Sequence, residues 1–235
     1  MSLLVDRVVA SYFGTNCWIV APSRNSHCVV VDPGIGIPNL TKEIKAKLAE
    51  HNLLIGAIFI THGHLDHTFS LFSLSEDFVE SDTYIHEADR DLLSNPEPAM
   101  GPQSQALLVE LGKLSGKKID FREPRRTWSI ESDSIARLGG MNFSFRHAPG
   151  HTPGSTLAIV DDELLISGDV LFKAGIGRTD LPQGSISDME ITLREKIAPL
   201  PPHLRVLPGH GDESRMDEEM KSNQYLLSAI QGRLA

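Results

Sequence analysis

The heptapeptide THGHLDH, residues 61–67, places three imidazoles and one carboxylate directly after an apolar run at residues 55–60. Three imidazoles this close together would repel one another if protonated, and burying them without partners would forfeit their hydration. A bound divalent cation removes both difficulties, because imidazole and carboxylate are ordinary ligands of such ions. The alternative is a solvated, histidine-rich turn, which the preceding apolar strand disfavours. The motif therefore indicates metal chemistry.

The spacing divides these four side chains between two positions. His62 and His64 lie two residues apart on a short turn and can converge on one cation. Asp66 and His67 fall on the following turn and face a neighbouring position. Four ligands cannot complete two metal sites, so the remaining ligands are expected from later segments of the chain.

Three later segments, APGHTPGS, LLISGDVLF and RVLPGHG, each carry a histidine or an aspartate after an apolar stretch. Together with the heptapeptide they resemble the signature of the metallo-β-lactamase fold superfamily. The resemblance implies a four-layer αββα sandwich of the α/β (α+β) class and two divalent cations bridged by an aspartate. The implied metal ligands are His62, His64, Asp66, His67, His151, Asp169 and His210.

The implied metal pair suggests a reaction. Zinc is the expected metal, with iron or manganese as alternatives, and water held between two such cations supplies hydroxide at neutral pH. Asp66 is predicted to act in catalysis together with this metal-bound hydroxide. A cation would polarise an acyl carbonyl for attack. A thiolate, with a parent thiol pKa of about 8.5, departs without a proton. Since the motifs assign no additional acid, thioester hydrolysis is compatible with this site.

The segment at residues 168–185, GDVLFKAGIGRTDLPQGS, resembles that of glyoxalase II enzymes and their single-domain relatives, the glyoxalase-II-like hydrolases. Those enzymes act on S-acyl thiols such as S-lactoylglutathione. The resemblance implies that Arg178 and Asp180 form a salt link near the cleft and that Arg178 and Lys173 contact substrate. A purely structural loop is an equal alternative for each.

The ending EEMKSNQYL resembles the E…NPYL ending of the short relatives, with Gln224 in place of proline. The resemblance places Asn223 and Tyr225 at the mouth of the site as substrate contacts. Two-domain glyoxalase II enzymes end in a helical domain that binds glutathione, and the few residues after His210 contain no counterpart. The sequence therefore leaves the thiol open.

Alternative functions remain. Persulfide dioxygenases share the GRTD loop but hold one iron through the equivalents of His62, His151 and Asp169. Another ester or lactone hydrolase of this fold, or a catalytically idle metal-binding domain that binds a partner, is also compatible. Hydrolysis of β-lactams is not favoured, because neither export nor an accommodating cleft is indicated.

The composition of the chain limits the classes of partner that it is expected to bind. A net charge of −9 over 235 residues disfavours nucleic acid, whose phosphates attract basic surfaces. No apolar run approaches the ~20 residues of a membrane span, and the N-terminal stretch lacks the features of a signal peptide. Cys17 and Cys28 are expected to pack rather than form a disulfide scaffold. We predict a cytoplasmic monomer or homodimer that binds a small thioester, with no nucleic acid and no membrane.

The elements follow from apolar periodicity and turn residues. One domain is predicted over residues 1–235, with a helical and loop insertion around residues 95–127. The opening strands are predicted at Val8–Tyr12, Cys17–Val20 and Cys28–Val31, and later helices at Ser187–Leu200 and Met216–Leu234.

Three further polar residues lie at strand ends. Asp32 ends the third strand and is predicted to lie beside the metal ligands, unless it only shapes a turn. His86 is predicted to pack at a strand end. His147 is predicted to lie off the metals, although it precedes His151 closely.

Overall fold

The computed structural model describes residues 2–102, 104–116 and 119–234. It contains two six-stranded sheets. The first sheet has the order β1 to β6, formed by Leu4–Val9, Asn16–Ala21, His27–Val31, Leu54–Phe59, Asp82–His86 and Thr127–Ile130. The second sheet comprises β7 to β12, which also lie side by side in chain order, formed by Ser134–Leu138, Met141–His147, Thr156–Val160, Leu164–Gly168, Arg205–Pro208 and Ser214–Arg215.

Helices connect or flank the strands. The α-helices α1 to α8 are Thr41–His51, Leu65–Thr68, Leu71–Asp77, Glu87–Arg90, Ser104–Ser115, Ile186–Thr192, Met216–Ser222 and Gln224–Ile230. Short 3₁₀ helices follow α4 at Asp91–Leu93 and Glu97–Ala99. None of the described helices is long and apolar enough to cross a membrane.

Three buried apolar clusters define four layers. One cluster joins the outer face of the first sheet to α1 and α3, and includes Ile19, Ile44 and Leu74. A second lies between the two sheets, where Phe59 and Phe145 meet with ring centroids 5.1 Å apart. The third joins the second sheet to α6 and α8. Because each sheet buries both faces, the predicted αββα sandwich is confirmed.

Strand direction gathers the polar turns at one edge. Strands β3 to β6 are mutually parallel, and β10 runs parallel to β11. The carboxyl ends of parallel strands meet at the same edge of a sheet, where ligands commonly bind. The loops after β3, β4, β8, β10 and β11 carry Asp32, the heptapeptide, His151, Asp169 and His210.

Three predicted elements are corrected by the structure. The first strand is Leu4–Val9, because the chain leaves the sheet in a turn in which Phe13 and Gly14 both have positive φ. The predicted helix from Ser187 gives way after α6 to a π-helical turn at Leu193–Ile197, and Ile191 is half exposed rather than in the core.

The predicted closing helix is two helices, α7 and α8. They are separated at Asn223, whose backbone is extended. The Asn223 side chain accepts hydrogen bonds from the backbone N–H groups of Tyr225 and Leu226, so it caps the start of α8.

Helix α5 occupies part of the predicted insertion. Its Leu111 is fully buried and packs with Ile35 and Leu65, the first residue of the short helix α2 inside the heptapeptide. Leu107 and Leu108 flank this cluster, whereas Leu114 is about half exposed. Helix α5 of the insertion therefore packs against the heptapeptide turn.

Both cysteines are packing residues, as predicted. Cys17 and Cys28 are unpaired and fully buried between the first sheet and its helices. Burial raises the pKa of the Cys28 thiol to about 12 and raises that of Cys17 well above its usual range. Neither thiol is available as a nucleophile at neutral pH.

Candidate metal centre

The structure brings all seven predicted ligands together. Three nitrogens of His62, His64 and His151 form one candidate group, with ring centroids 4.5 to 4.8 Å apart. Asp66, His67 and His210 form a second group. Their role as metal ligands remains a prediction, but the convergence that it requires is present.

Asp169 lies between the two groups. Its Oδ2 is 3.5 Å from Nε2 of His151 in the first group and 3.4 Å from Nε2 of His210 in the second. Its Oδ1 is 3.4 Å from Nε2 of His67. The next strand passes so close that a Cβ on Gly209 would lie 2.1 Å from Oδ1 of Asp169, so only glycine fits there. This is the position expected of a bridging carboxylate.

Asp32 fixes the protonation of two of the imidazoles. Its Oδ2 accepts hydrogen bonds from Nδ1 of His67 at 2.9 Å and from Oγ1 of Thr61 at 2.7 Å. Because the Thr61 hydroxyl donates to Asp32, the 3.0 Å contact between Oγ1 and Nδ1 of His62 has the imidazole as donor. When neutral, both rings therefore carry their proton on Nδ1 and present a free Nε2 lone pair.

Backbone carbonyls do the same for two other rings. Nδ1 of His151 donates to the carbonyl of Arg178 at 2.7 Å, and Nδ1 of His210 donates to the carbonyl of Phe13 at 3.2 Å. A carbonyl oxygen can only accept, so Nε2 is left unprotonated in each neutral ring. Four rings are thus held in the tautomer that a metal ion needs.

Divalent cations fit this donor set. Nε2 of His151 and Oδ1 of Asp169 are buried and have no hydrogen-bond partner among the described residues. Nε2 of His62 and Nδ1 of His64 are 3.2 Å apart, a separation that either a shared cation or one proton between the two nitrogens satisfies. Imidazoles with carboxylates suit zinc, iron and manganese.

The two groups differ in their affinity for protons. Burial and neighbouring imidazoles lower the pKa of His64 to about 3 and that of His62 well below its usual value. Burial acts in the same direction on His210, but hydrogen bonds to Asp169 and Asp66 outweigh it and raise its pKa to about 9. Burial is likewise outweighed by nearby carboxylates at His67, whose pKa is raised well above its usual value.

The carboxylates respond in the opposite sense. Burial alone would raise the pKa of Asp66, but the charge of His67 and a hydrogen bond from His210 lower it to about 2. The pKa of Asp169 is lowered well below its usual range, because the same neighbouring imidazoles outweigh its burial. Both carboxylates are therefore ionised across the physiological range and available to a cation.

Comparison with known proteins agrees with this geometry. Residues 11–210 match the model of the metallo-beta-lactamase superfamily. The chain belongs to the metallo-β-lactamase superfamily. Its members include hydrolases, and the histidine and aspartate cluster of this chain occupies the strand-end edge of the sandwich.

Three similar proteins of this superfamily are informative. The hydroxyacylglutathione hydrolase GloC of Haemophilus influenzae is 30% identical over 227 residues, covering 95% of this chain and 98% of that protein. The crystal structure of the B3 metallo-β-lactamase BLEG-1 is 28% identical, with a TM-score of 0.79 over 95% of this chain and 99% of that one. The crystal structure of TTHA1623 in a di-iron-bound form is 26% identical, with a TM-score of 0.73 over 94% and 100%.

Metal affinity at the two groups is expected to depend differently on pH. In the metal-free protein His210 holds its proton up to pH about 9, so a cation entering the second group must expel it. Between pH 6 and 8 this affinity should rise about tenfold per pH unit for each proton displaced. His64 is already neutral, so affinity at the first group should change little.

Chelator competition at pH 6, 7 and 8, combined with calorimetry in buffers of different ionisation enthalpy, measures this difference. Binding at the second group should release protons, whereas binding at the first group should not. Equal proton release in both steps would contradict the prediction.

The predicted substrate contacts are placed as follows. Arg178 and Asp180 form the predicted salt link, with two contacts of 2.8 Å, and both side chains are exposed. Lys173 is exposed and lines a cleft of about 450 Å³ that Trp18 also lines. Tyr225 is half exposed in the first turn of α8. Contact with substrate stays a prediction for Lys173, Arg178 and Tyr225.

The expectation for Asn223 is corrected. This residue is fully buried, and its amide nitrogen donates to the carbonyls of Phe172 and Gly175 and to Glu219. All of its polar atoms are used within the protein. Asn223 therefore holds the loop after Asp169 in place and does not face the mouth of the site.

The two histidines predicted to lie off the metals stack on each other. The rings of His86 and His147 have centroids 4.0 Å apart and an interplanar angle of 11°. Nδ1 of His86 accepts from the backbone of Ala88, and Nε2 of His147 donates to the carbonyl of Pro153. Neither belongs to a candidate metal group among the described residues.

Sequence reasoning missed several supporting residues. The Thr15 hydroxyl donates to Oδ2 of Asp66 at 3.1 Å, Phe13 offers its carbonyl to His210, and Asp89 lies fully buried beside the first group. Thr61 was visible as the first residue of the heptapeptide, but its relay to His62 was not. These roles depend on contacts between distant segments, for which the sequence has no local signal.

Proposed function

We propose that this protein is a metal-dependent hydrolase that cleaves thioesters of small S-acyl thiols. The observation that carries the proposal is the convergence of seven side chains on one edge, with four imidazoles held in the metal-binding tautomer. The similarity to GloC, which is named a hydroxyacylglutathione hydrolase, supports a thioester substrate. We further infer that zinc occupies both positions, with iron or manganese as alternatives, and that the enzyme acts in the cytoplasm.

Each group of residues has a distinct task in this proposal. His62, His64 and His151 would hold one cation, Asp66, His67 and His210 the other, and Asp169 both. When bound, the cations supply an acidic water and a Lewis acid for the acyl carbonyl. Thr15 donates to Oδ2 of Asp66 and so orients this carboxylate oxygen beside Nε2 of His67 and Nε2 of His210.

Whether the leaving group needs a proton determines which class of substrate suits the site. Once the seven side chains hold cations, none of them retains a proton that it could give to a departing group. A thiolate leaves without such help, whereas an amide nitrogen requires a proton. The site therefore suits a thioester better than an amide with the same acyl group.

A matched substrate panel tests the proposal. One acyl group is offered as thioester, oxygen ester and amide, together with a β-lactam, since BLEG-1 bears the name of a β-lactamase. The thioester should react fastest, and the amide about 10²-fold or more slowly, because general acid catalysis contributes at least that factor. Preferential turnover of the β-lactam or the amide would contradict the proposal.

The metal content must be measured in the same preparations. About two equivalents per chain are expected, and Asp66→Ala and His210→Ala should each lower thioester turnover about tenfold or more. If neither substitution lowers it, the two-cation mechanism is wrong. A single iron with oxygen consumption on a persulfide would instead identify an oxidoreductase of the same fold.

A further inference from the structure

Asp89 lies in helix α4 and is fully buried, although no motif marks it. Its Oδ2 accepts hydrogen bonds from the backbone N–H of Gly63 at 2.8 Å and from Oγ1 of Thr152 at 2.7 Å. Its Oδ1 accepts from the backbone N–H of Gly154 at 2.7 Å. Three donors thus enclose one carboxylate, which is the arrangement that a buried charge requires.

The donors belong to two separate ligand-bearing loops. Gly63 stands between His62 and His64, whereas Thr152 follows His151 directly. The approach is close, because a Cβ on Gly154 would lie 2.5 Å from Cγ of Asp89. One side chain therefore connects the loops that carry the whole first metal group.

The second metal group has no such link to Asp89. The hydrogen bonds of Asp89 reach the heptapeptide only at Gly63, before helix α2, which carries Asp66 and His67. Its other hydrogen bonds come from Thr152 and Gly154, not from the loop that carries His210. Asp32 orients His67, and the carbonyl of Phe13 orients His210. A backbone bond from Thr156 to the Thr61 carbonyl, 2.9 Å long, also joins the two loops of the first group, so they stay associated without Asp89.

We infer that Asp89 is a positioning residue that sets the cation affinity of the position formed by His62, His64 and His151, in preference to the neighbouring position. It acts by fixing the separation of the two loops, not by touching the cation. The inference does not depend on which substrate the enzyme cleaves. It does require that the first group binds a cation.

Asp89→Asn is the most direct substitution. An amide offers one acceptor oxygen, and its NH₂ group would face at least one of the three donors. The loops must then shift to relieve the clash. We expect the dissociation constant for a cation at the first position to rise about tenfold, which is within the usual effect of losing a residue that supports metal ligands.

Cadmium NMR measures each position separately. Two equivalents of cadmium ions should give two resonances, and His210→Ala identifies the second position because it removes a ligand there. Chelator competition then yields two dissociation constants for each variant. In Asp89→Asn, the constant for the first position should rise and that for the second should change less than threefold.

Glu219→Gln is a matched control. Glu219 is also buried, and it accepts hydrogen bonds from the backbone of Ala174 and the amide of Asn223, away from both loops of the first group. It should lower thermal stability without changing the ratio of the two constants. A general loss of stability in Asp89→Asn would likewise move both constants together.

Thr152→Val provides a second variant in case Asp89→Asn does not fold. It removes one donor to Asp89 and leaves the carboxylate in place, so a smaller rise of about threefold is expected at the first position alone. The inference is overturned if either folded variant weakens both positions equally, or if neither constant changes. The test measures cation binding and not thioester hydrolysis. Failure of the proposed substrate can therefore be distinguished from failure of the inference about Asp89.

Discussion

Asp169→Asn should reduce thioester hydrolysis about 10³-fold or more, because the carboxylate contacts ligands of both metal groups. When residues act as one catalytic unit, the loss of one removes most of the contribution of the others. An amide keeps the size of the side chain but removes its negative charge. The carboxylate lies 3.4 to 3.5 Å from Nε2 of His67, His151 and His210. Without its negative charge, the repulsion between two cations held by these rings would not be offset. Metal content per chain should fall along with the rate.

Ser167→Ala is the control for Asp169→Asn. Ser167 is fully buried in β10, two residues before Asp169, and its hydroxyl donates to the carbonyl of Leu171. Its loss should lower the free energy of unfolding by about 1 kcal/mol and leave metal content near that of the parent. Rates normalised to bound metal decide the matter: an Asp169→Asn protein that hydrolyses thioesters at the parent rate would contradict the assigned bridging role.

Asp32→Asn should weaken metal binding about 10- to 100-fold and lower thioester turnover by a similar factor. Asp32 accepts three hydrogen bonds, from the backbone N–H and the hydroxyl of Thr61 and from Nδ1 of His67. An amide cannot accept all three. If its NH₂ group faces Nδ1 of His67, the ring must move its proton to Nε2, where a cation should bind.

Two variants of Thr61 separate the effect of Asp32 on His62 from its effect on His67. Thr61→Ser keeps the hydroxyl that links Asp32 to His62 and should retain metal affinity within about threefold. Thr61→Val removes only that link, so it should weaken the first position and spare His67. Titration of each variant with zinc against a chelator checks both outcomes. Equal loss in the serine and valine variants would show that the hydroxyl is not the link.

The sequence was sufficient to predict most strands and the seven candidate ligands that the structure brings together. Each of His151, Asp169 and His210 follows an apolar segment, and an ionisable side chain directly after a buried strand needs a counter-charge or a cation to offset its lost hydration. The layered fold was implied by the resemblance of the motifs to the metallo-β-lactamase fold superfamily, and the predicted strands and amphipathic helices were compatible with it. Errors occurred where the local pattern continued past a real boundary, as at Asn223, where an extended cap residue interrupts an otherwise continuous helical period.

The amino-acid sequence by itself determined which side chains are candidate metal ligands and that they lie at strand ends, because apolar periodicity and residue type are local properties. Only the tertiary structure decided which protons those imidazoles carry and what holds them. The deciding hydrogen bonds join segments far apart in the chain. They are those accepted by the carbonyls of Phe13 and Arg178 and by the carboxylates of Asp32 and Asp89. Hydrogen bonds of this kind depend on where folding brings a backbone group, and any residue supplies the same carbonyl or N–H.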